Sequence, residues 1–166
     1  MRSSAYWLGL FLLLLVCPVS FAEERNTADE FKFMELRQQL RERPQDPKAH
    51  QWIFAMGEYY FKERSPETAA AYFKRLDPLI SRGIEDLMAS VYLLRCALST
   101  GDNPTAQALT QKLQDSLSSR QFLAIFDSSR ERAWQSPLGN RFKLTEKVDS
   151  LEIDLNGKPF YTIDLS

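Results

Sequence analysis

The chain has 166 residues, 44% of them hydrophobic and 26% charged, which excludes a disordered tail or a fibrous repeat and fits one ordinary globular domain. Lys and Arg number 21 against 22 Asp and Glu, and a formal net charge of -1 supplies no global attraction for nucleic acid or an anionic membrane.

Residues 1–22 read as a secretory signal peptide. Arg2 makes the basic start, Ala5 to Val16 is an apolar run of 12, Pro18 breaks it, and Ser20 and Ala22 are the small residues ahead of a cut before Glu23. A bilayer-spanning helix needs roughly 20 apolar residues, so a retained anchor is the weaker reading. A lipoprotein would use Cys17, but Val16 and Pro18 flank that cysteine poorly. Membrane contact is therefore expected only if the segment stays uncleaved or Cys17 is lipidated. After cleavage Cys96 stands alone, so no intramolecular disulfide is available despite an oxidising destination. No Asn-x-Ser/Thr acceptor is present, because Asn103 is followed by Pro104, and a periplasmic and a fully secreted location both stay open.

Residues 23–136 are expected to be helical and 137–166 to form a C-terminal β segment packed on the helices, a mainly α fold ending in a small antiparallel meander. Thr27 and Glu30 form a capping-box pair ahead of Phe31, Met34 and Leu40. Asp46-Pro47, Ser65-Pro66 and Asn103-Pro104 repeat one helix-start signal, an N-cap oxygen followed by a proline that loses nothing at N1. Gly83 and Gly101 fall where the preceding segments should end and are read as a helix C-cap or turn. The helices predicted are 28–42, 47–62, 66–79, 84–99, 104–117 and 120–133, with connections of the kind that joins antiparallel neighbours. Their apolar residues recur at about 3.6, as in Ile53, Met56, Gly57 and Tyr60, or Leu93, Leu94 and Ala97.

The period changes after Ser136-Pro137-Leu138-Gly139-Asn140. Phe142, Leu144 and Val148 are expected on one strand face and Leu151, Ile153 and Leu155 on the next, with Asp149-Ser150 between them. Asn156-Gly157 is a hairpin signal. A plain two-residue loop pairs Ile153 with Phe160, whereas a three-residue loop with a bulge brings Tyr161 and Ile163 to the Leu151/Ile153 face; the second is slightly favoured.

Gly57, Tyr60, Ala69 and Phe73 stand at separations that resemble the tetratricopeptide repeat, in which small residues let paired helices approach closely. Leu94, Ala97, Gly101 and Ala106 occupy the matching places of a weaker second unit, with Thr110 where the family has Phe. The offset is 37 residues, against about 34 in the family, so an insertion near Ser81 to Asp86 is required. The resemblance covers residues 46–117; an unrelated helical bundle with the same small-residue packing is the alternative. It implies that the first helix of each pair lines a concave groove carrying Gln51, Phe54, Glu58 and Phe61, then Met88, Val91, Arg95 and Leu98. Such a face suits a protein or peptide partner. With only two units, the opposing reading is that helix 28–42 or the terminal strands fill the groove and make Phe54 and Phe61 core.

No catalytic constellation is legible. His50 is the single histidine and reads as structural, and Cys96, mid-helix among Leu93, Leu94 and Ala97, reads as buried and inert. One His and one mature Cys make no zinc site, the acids Glu146, Asp149, Glu152, Asp154 and Asp164 lack calcium-loop spacing, and the glycines are scattered. No metal, cofactor or nucleotide is expected. Ser118-Ser119 and Ser128-Ser129 read as helix boundaries, and the Arg37/Arg41/Arg43 and Arg130/Arg132 groups, mixed with Glu42 and Glu131, as solvated faces. The function expected is an exported, non-catalytic interaction or assembly module. The alternatives are a hydrolase using carboxylates that converge from different helices, and a lipid-anchored accessory protein acting through its C-terminal strand edge.

Overall fold

The computed structural model describes residues 27–76, 83–117 and 131–166. The signal-peptide reading of residues 1–22, both serine pairs and the insertion near Ser81 fall outside them or run into them. Five helices precede a four-stranded antiparallel sheet: α1 (Thr27–Glu42), α2 (Ala49–Lys62), α3 (Pro66–Lys74), α4 (Ile84–Thr100), α5 (Asn103–Leu117), then β1 (Glu131–Gln135), β2 (Arg141–Glu146), β3 (Ser150–Leu155) and β4 (Lys158–Asp164). The strands lie in sequence order, a meander. The mainly α class with a C-terminal β meander is thus observed.

The helix ends show how local chemistry sets the boundaries. Asp46 Oδ1 accepts the Lys48 N–H at 2.8 Å, so the Asp46-Pro47 signal makes a tight turn and α2 starts just after it. Ser65 precedes α3 with Pro66 at N1, as expected, though its hydroxyl makes no capping bond. At α5 the cap is one residue earlier than expected: Asp102, not Asn103, accepts the Thr105 N–H at 3.2 Å. Gly101 ends α4 in the left-handed region at φ 73°. Gly83 is not a C-cap: it sits in extended backbone immediately before α4, which starts at Ile84 as expected.

The turns of the two helix hairpins repeat at the 37-residue offset. Arg64 and Gly101 are equivalent, with φ 57° and 73°. Ser65 N donates to Tyr60 O at 2.9 Å and Asp102 N to Ala97 O at 2.9 Å; Ala69 N donates to Ser65 O and Ala106 N to Asp102 O, both at 3.0 Å. Gly57 explains the closeness of the first pair. A Cβ built there would lie 2.7 Å from Cζ of Phe73, so α2 and α3 meet at a distance only glycine permits.

The β region begins earlier than expected. Residues 131–133 belong to β1, not to a helix 120–133, whose remainder lies outside the described residues. Ser136–Asn140 is a hairpin loop, with Trp134 opposite Phe142 and Gln135 opposite Arg141, and not a boundary between a helical and a β segment. Val148 does not join the Phe142/Leu144 face; it lies in the β2–β3 turn and is 87% exposed. The last hairpin combines both readings. Asn156 and Gly157 form a two-residue loop with φ 51° and 78°, and a bulge one pair later brings Ile153 opposite Tyr161 and Leu151 opposite Ile163. Phe160 is the extra residue.

One core joins helices and sheet. Phe54, Leu76, Met88, Val91, Tyr92 and Leu94 from the helical part lie in the same buried cluster as Phe142, Leu144, Leu151, Ile153 and Ile163. A smaller cluster, Phe33, Ala55, Met56 and Leu138, fixes α1 and the β1–β2 turn to α2.

Candidate functional site

The α2/α4 face named by the repeat resemblance is a real surface of the helical part, and the protein's own sheet covers it. Phe54, Met88 and Val91 are fully buried and Glu58 is 3% exposed, so these four do not line an open groove. Phe61 and Arg95 are half-buried beneath the sheet. Only Gln51 and Leu98, at opposite ends of the face, are exposed. The physical reason is an aromatic joint. Phe54 meets Trp134 edge-on at 5.3 Å, and Tyr92 meets Phe160 at 5.1 Å and Phe142 at 6.1 Å. Such pairs contribute about 0.5 to 1.5 kcal/mol each beyond the area they bury.

Arg95 completes the joint. Its Nη1 donates to the Phe160 carbonyl at 2.7 Å while the guanidinium lies 4.2 Å from the centre of the Phe160 ring and 5.3 Å from that of Phe61. The bulge thus delivers both a carbonyl and a ring to one side chain. Gln114 on α5 donates to the Asp164 carbonyl at 3.0 Å. β4 is one of the two outer strands of the sheet, yet two of its carbonyls are taken by helix side chains, which leaves a poor template for an added strand on that edge.

Glu58 is the charged group the sequence concealed. A mid-helix glutamate is normally a solvated residue; here Tyr92 Oη donates to its Oε1 at 3.1 Å, and Oε2 makes no hydrogen bond. Burial raises its pKa above the ordinary carboxylate range, against the opposing pull of Ser136, Asn140 and Tyr92; Asp29 adds to the rise. Burial likewise raises the Tyr92 phenol well above its usual range, and Glu58 adds to it.

His50 is held rather than poised. Its Nδ1 lies 2.8 Å from the Pro47 carbonyl and its Nε2 3.6 Å from Glu85 Oε2. Burial raises the Glu85 pKa, with His50 opposing. Burial pushes the Cys96 thiol up to about 11, and the residue is 1% exposed. Among the described residues no three metal-binding side chains converge.

Open concavities lie elsewhere: one of about 450 Å³ is lined by Leu98 of α4 and by Ala106, Gln107 and Thr110 of α5, and others lie on the other side of α4. A recess of about 300 Å³ runs between α3 and α5, with Ala70, Leu93, Cys96 and Ala97 along its floor and Glu67, Lys74 and Asp102 on its rim. A second, of about 190 Å³, continues it past Lys74, Leu93 and Thr105 to Ala89 and Leu109. No binding residue was expected here, although Leu93 and Ala97, one turn apart on α4, could have marked it. The chain matches no protein-family model, no curated protein and no solved structure.

Proposed function

We propose that this chain is an exported, non-catalytic module that binds a peptide or a partner protein through helix hairpins of tetratricopeptide-repeat type. The observation that carries the reading is the 37-residue repetition of the hairpin, with the same cap hydrogen bonds in both copies. The binding face is not the α2/α4 groove first expected. It is the α3/α5 channel, whose apolar floor and charged rim suit an amphipathic helix of a partner. Nucleic acid and cofactors play no part in this reading, and the membrane enters only through a retained or lipidated leader. The test is capture of partners from an extracytoplasmic extract of the host by wild type and by Ala71→Arg, a change at an exposed channel-side residue. Loss of a specific captured protein, with melting temperature unchanged, supports the channel. Hydrolase activity abolished by a single Glu→Gln or Asp→Asn change in a folded protein refutes the non-catalytic reading. Mass spectrometry of the native protein should find Glu23 as the first residue; retained Met1 refutes export with cleavage.

A further inference from the structure

We propose that Glu58 is an acid-set latch: carrying its proton, it holds the β1–β2 turn and α1 against α2, and losing the proton loosens that corner of the molecule. The inference is independent of the binding reading. It starts from placement. Glu58 sits in the middle of α2, 3% exposed, where α4 reaches it through Tyr92 and the turn through Ser136 and Asn140. Its Oε2 accepts no hydrogen bond, and among the described residues no cation pairs with it. A buried carboxylate so placed is costly to ionise, whereas the neutral acid is not.

The groups around it cannot supply the missing charge balance. From α1 come an acid, Asp29, already bonded to Lys62 at 2.8 Å, and a base, Lys32, whose Nζ lies at the Gly139 end of the turn and does not figure among the charges that act on Glu58. From α4 come Tyr92 and, one turn on, Arg95, which is committed to Phe160. The turn offers only neutral donors, the Ser136 hydroxyl and the Asn140 amide, whose pull on Glu58 is outweighed by its burial.

What the latch holds is small enough to open alone. Leu138 of the turn and Phe33 of α1 pack on Ala55 and Met56 in a cluster distinct from the main core. The turn is shaped by its own bonds, Gly139 N to Ser136 O at 2.8 Å and Ser136 N to Asn140 O at 2.9 Å, so it can move as a unit. Local openings of this kind are the low-energy excursions of a folded protein.

The direction follows from linkage. Burial makes the closed state hold the Glu58 proton to a higher pH than the hydrated, open state does. Closure is therefore fully favoured below the ordinary carboxylate range, near 4.5, and is lost progressively as pH rises through the raised pKa. Within that window the opening constant grows about tenfold per pH unit, and above it the constant levels off. Acid tightens this corner; neutrality relaxes it.

The experiment is amide hydrogen exchange on the full chain from pH 4 to pH 8, corrected for intrinsic rates and read in residues 28–42 and 136–140. Wild type should lose protection there as pH rises, by about tenfold per unit inside the window, while β3 keeps its protection. Glu58→Gln should hold a constant protection across the series. If wild type and Glu58→Gln follow the same pH course, the latch is refuted. Should Glu58→Gln not fold, Tyr92→Phe carries the test. It removes a hydrogen bond that favours the charged form, so the window should move to higher pH, and an unmoved window overturns the proposal.

Discussion

Replacing Gly57 with alanine tests the closeness of α2 and α3. In an exposed helix this exchange is favourable, by about 1 kcal/mol of propensity. Here the new methyl carbon would stand 2.7, 2.8 and 2.9 Å from three ring carbons of Phe73, roughly 1 Å inside ordinary contact. The ring cannot swing aside easily. It is fully buried, stacked on Tyr92 at 4.8 Å with planes 9° apart, and met edge-on by Phe54 at 5.3 Å. Overpacking of this kind costs about 1 to 3 kcal/mol, so the net expectation after the propensity gain is a loss of up to about 2 kcal/mol. A domain of this size should melt lower by up to about 8 °C, read by circular dichroism. Phe73→Leu made together with Gly57→Ala should cost less than the sum of the two single changes, because the leucine vacates the space the methyl needs. A Gly57→Ala protein more stable than wild type by about the propensity gain would show that the helices do not meet as described.

Phe54→Ala should lower unfolding free energy by about 3 to 5 kcal/mol in denaturant titration, since the ring touches Phe73, Tyr92 and Trp134 in the core; a near-neutral result would reopen the α2/α4 groove. Arg64→Gly should stabilise by about 0.5 to 1 kcal/mol, because a non-glycine residue at φ 57° carries left-handed strain that Gly101 avoids in the second copy. Unchanged or lower stability would mean that Arg64 makes a compensating contact. Cys96, with its thiol raised to about 11, should react with a thiol reagent at pH 8 at least about 100-fold more slowly in the native protein than in denaturant; comparable rates would place it at the surface.

Much of the helical frame was legible because caps are local. Proline at N1 in Ser65-Pro66 and the left-handed glycine at Gly101 act within one turn of chain, and the structure keeps both. The small-residue pairing of Gly57 with Phe73 was legible as spacing, though only the coordinates reveal how tight it is. β1 was hidden because five residues, Glu131 to Gln135, give one buried-side aromatic and no sustained alternation. The fate of the α2/α4 face was hidden for a different reason. An apolar stripe states that something covers it and not what, so Phe54 read equally as ligand contact or core. Glu58 was the furthest from view, since nothing in neighbouring residues says that Tyr92, Ser136 and Asn140 will close over a carboxylate. The bulge at Phe160 likewise depends on Arg95, which lies 65 residues away.

Glu58 and Arg95 occupy equivalent places in the two hairpins, separated by the repeat offset of 37 residues. Each moors the sheet: the acid at the β1–β2 turn, the base at the Phe160 carbonyl. The hairpins are alike in their turns and unlike in what they hold, since Phe54 and Phe61 on α2 answer to Val91 and Leu98 on α4. In a sheet displaced by one repeat the Phe160 carbonyl would lose the guanidinium that serves it, and the β1–β2 turn would lie over a permanent positive charge with no counter-charge. The scaffold repeats a shape without repeating a docking site, so the sheet has one seat on it.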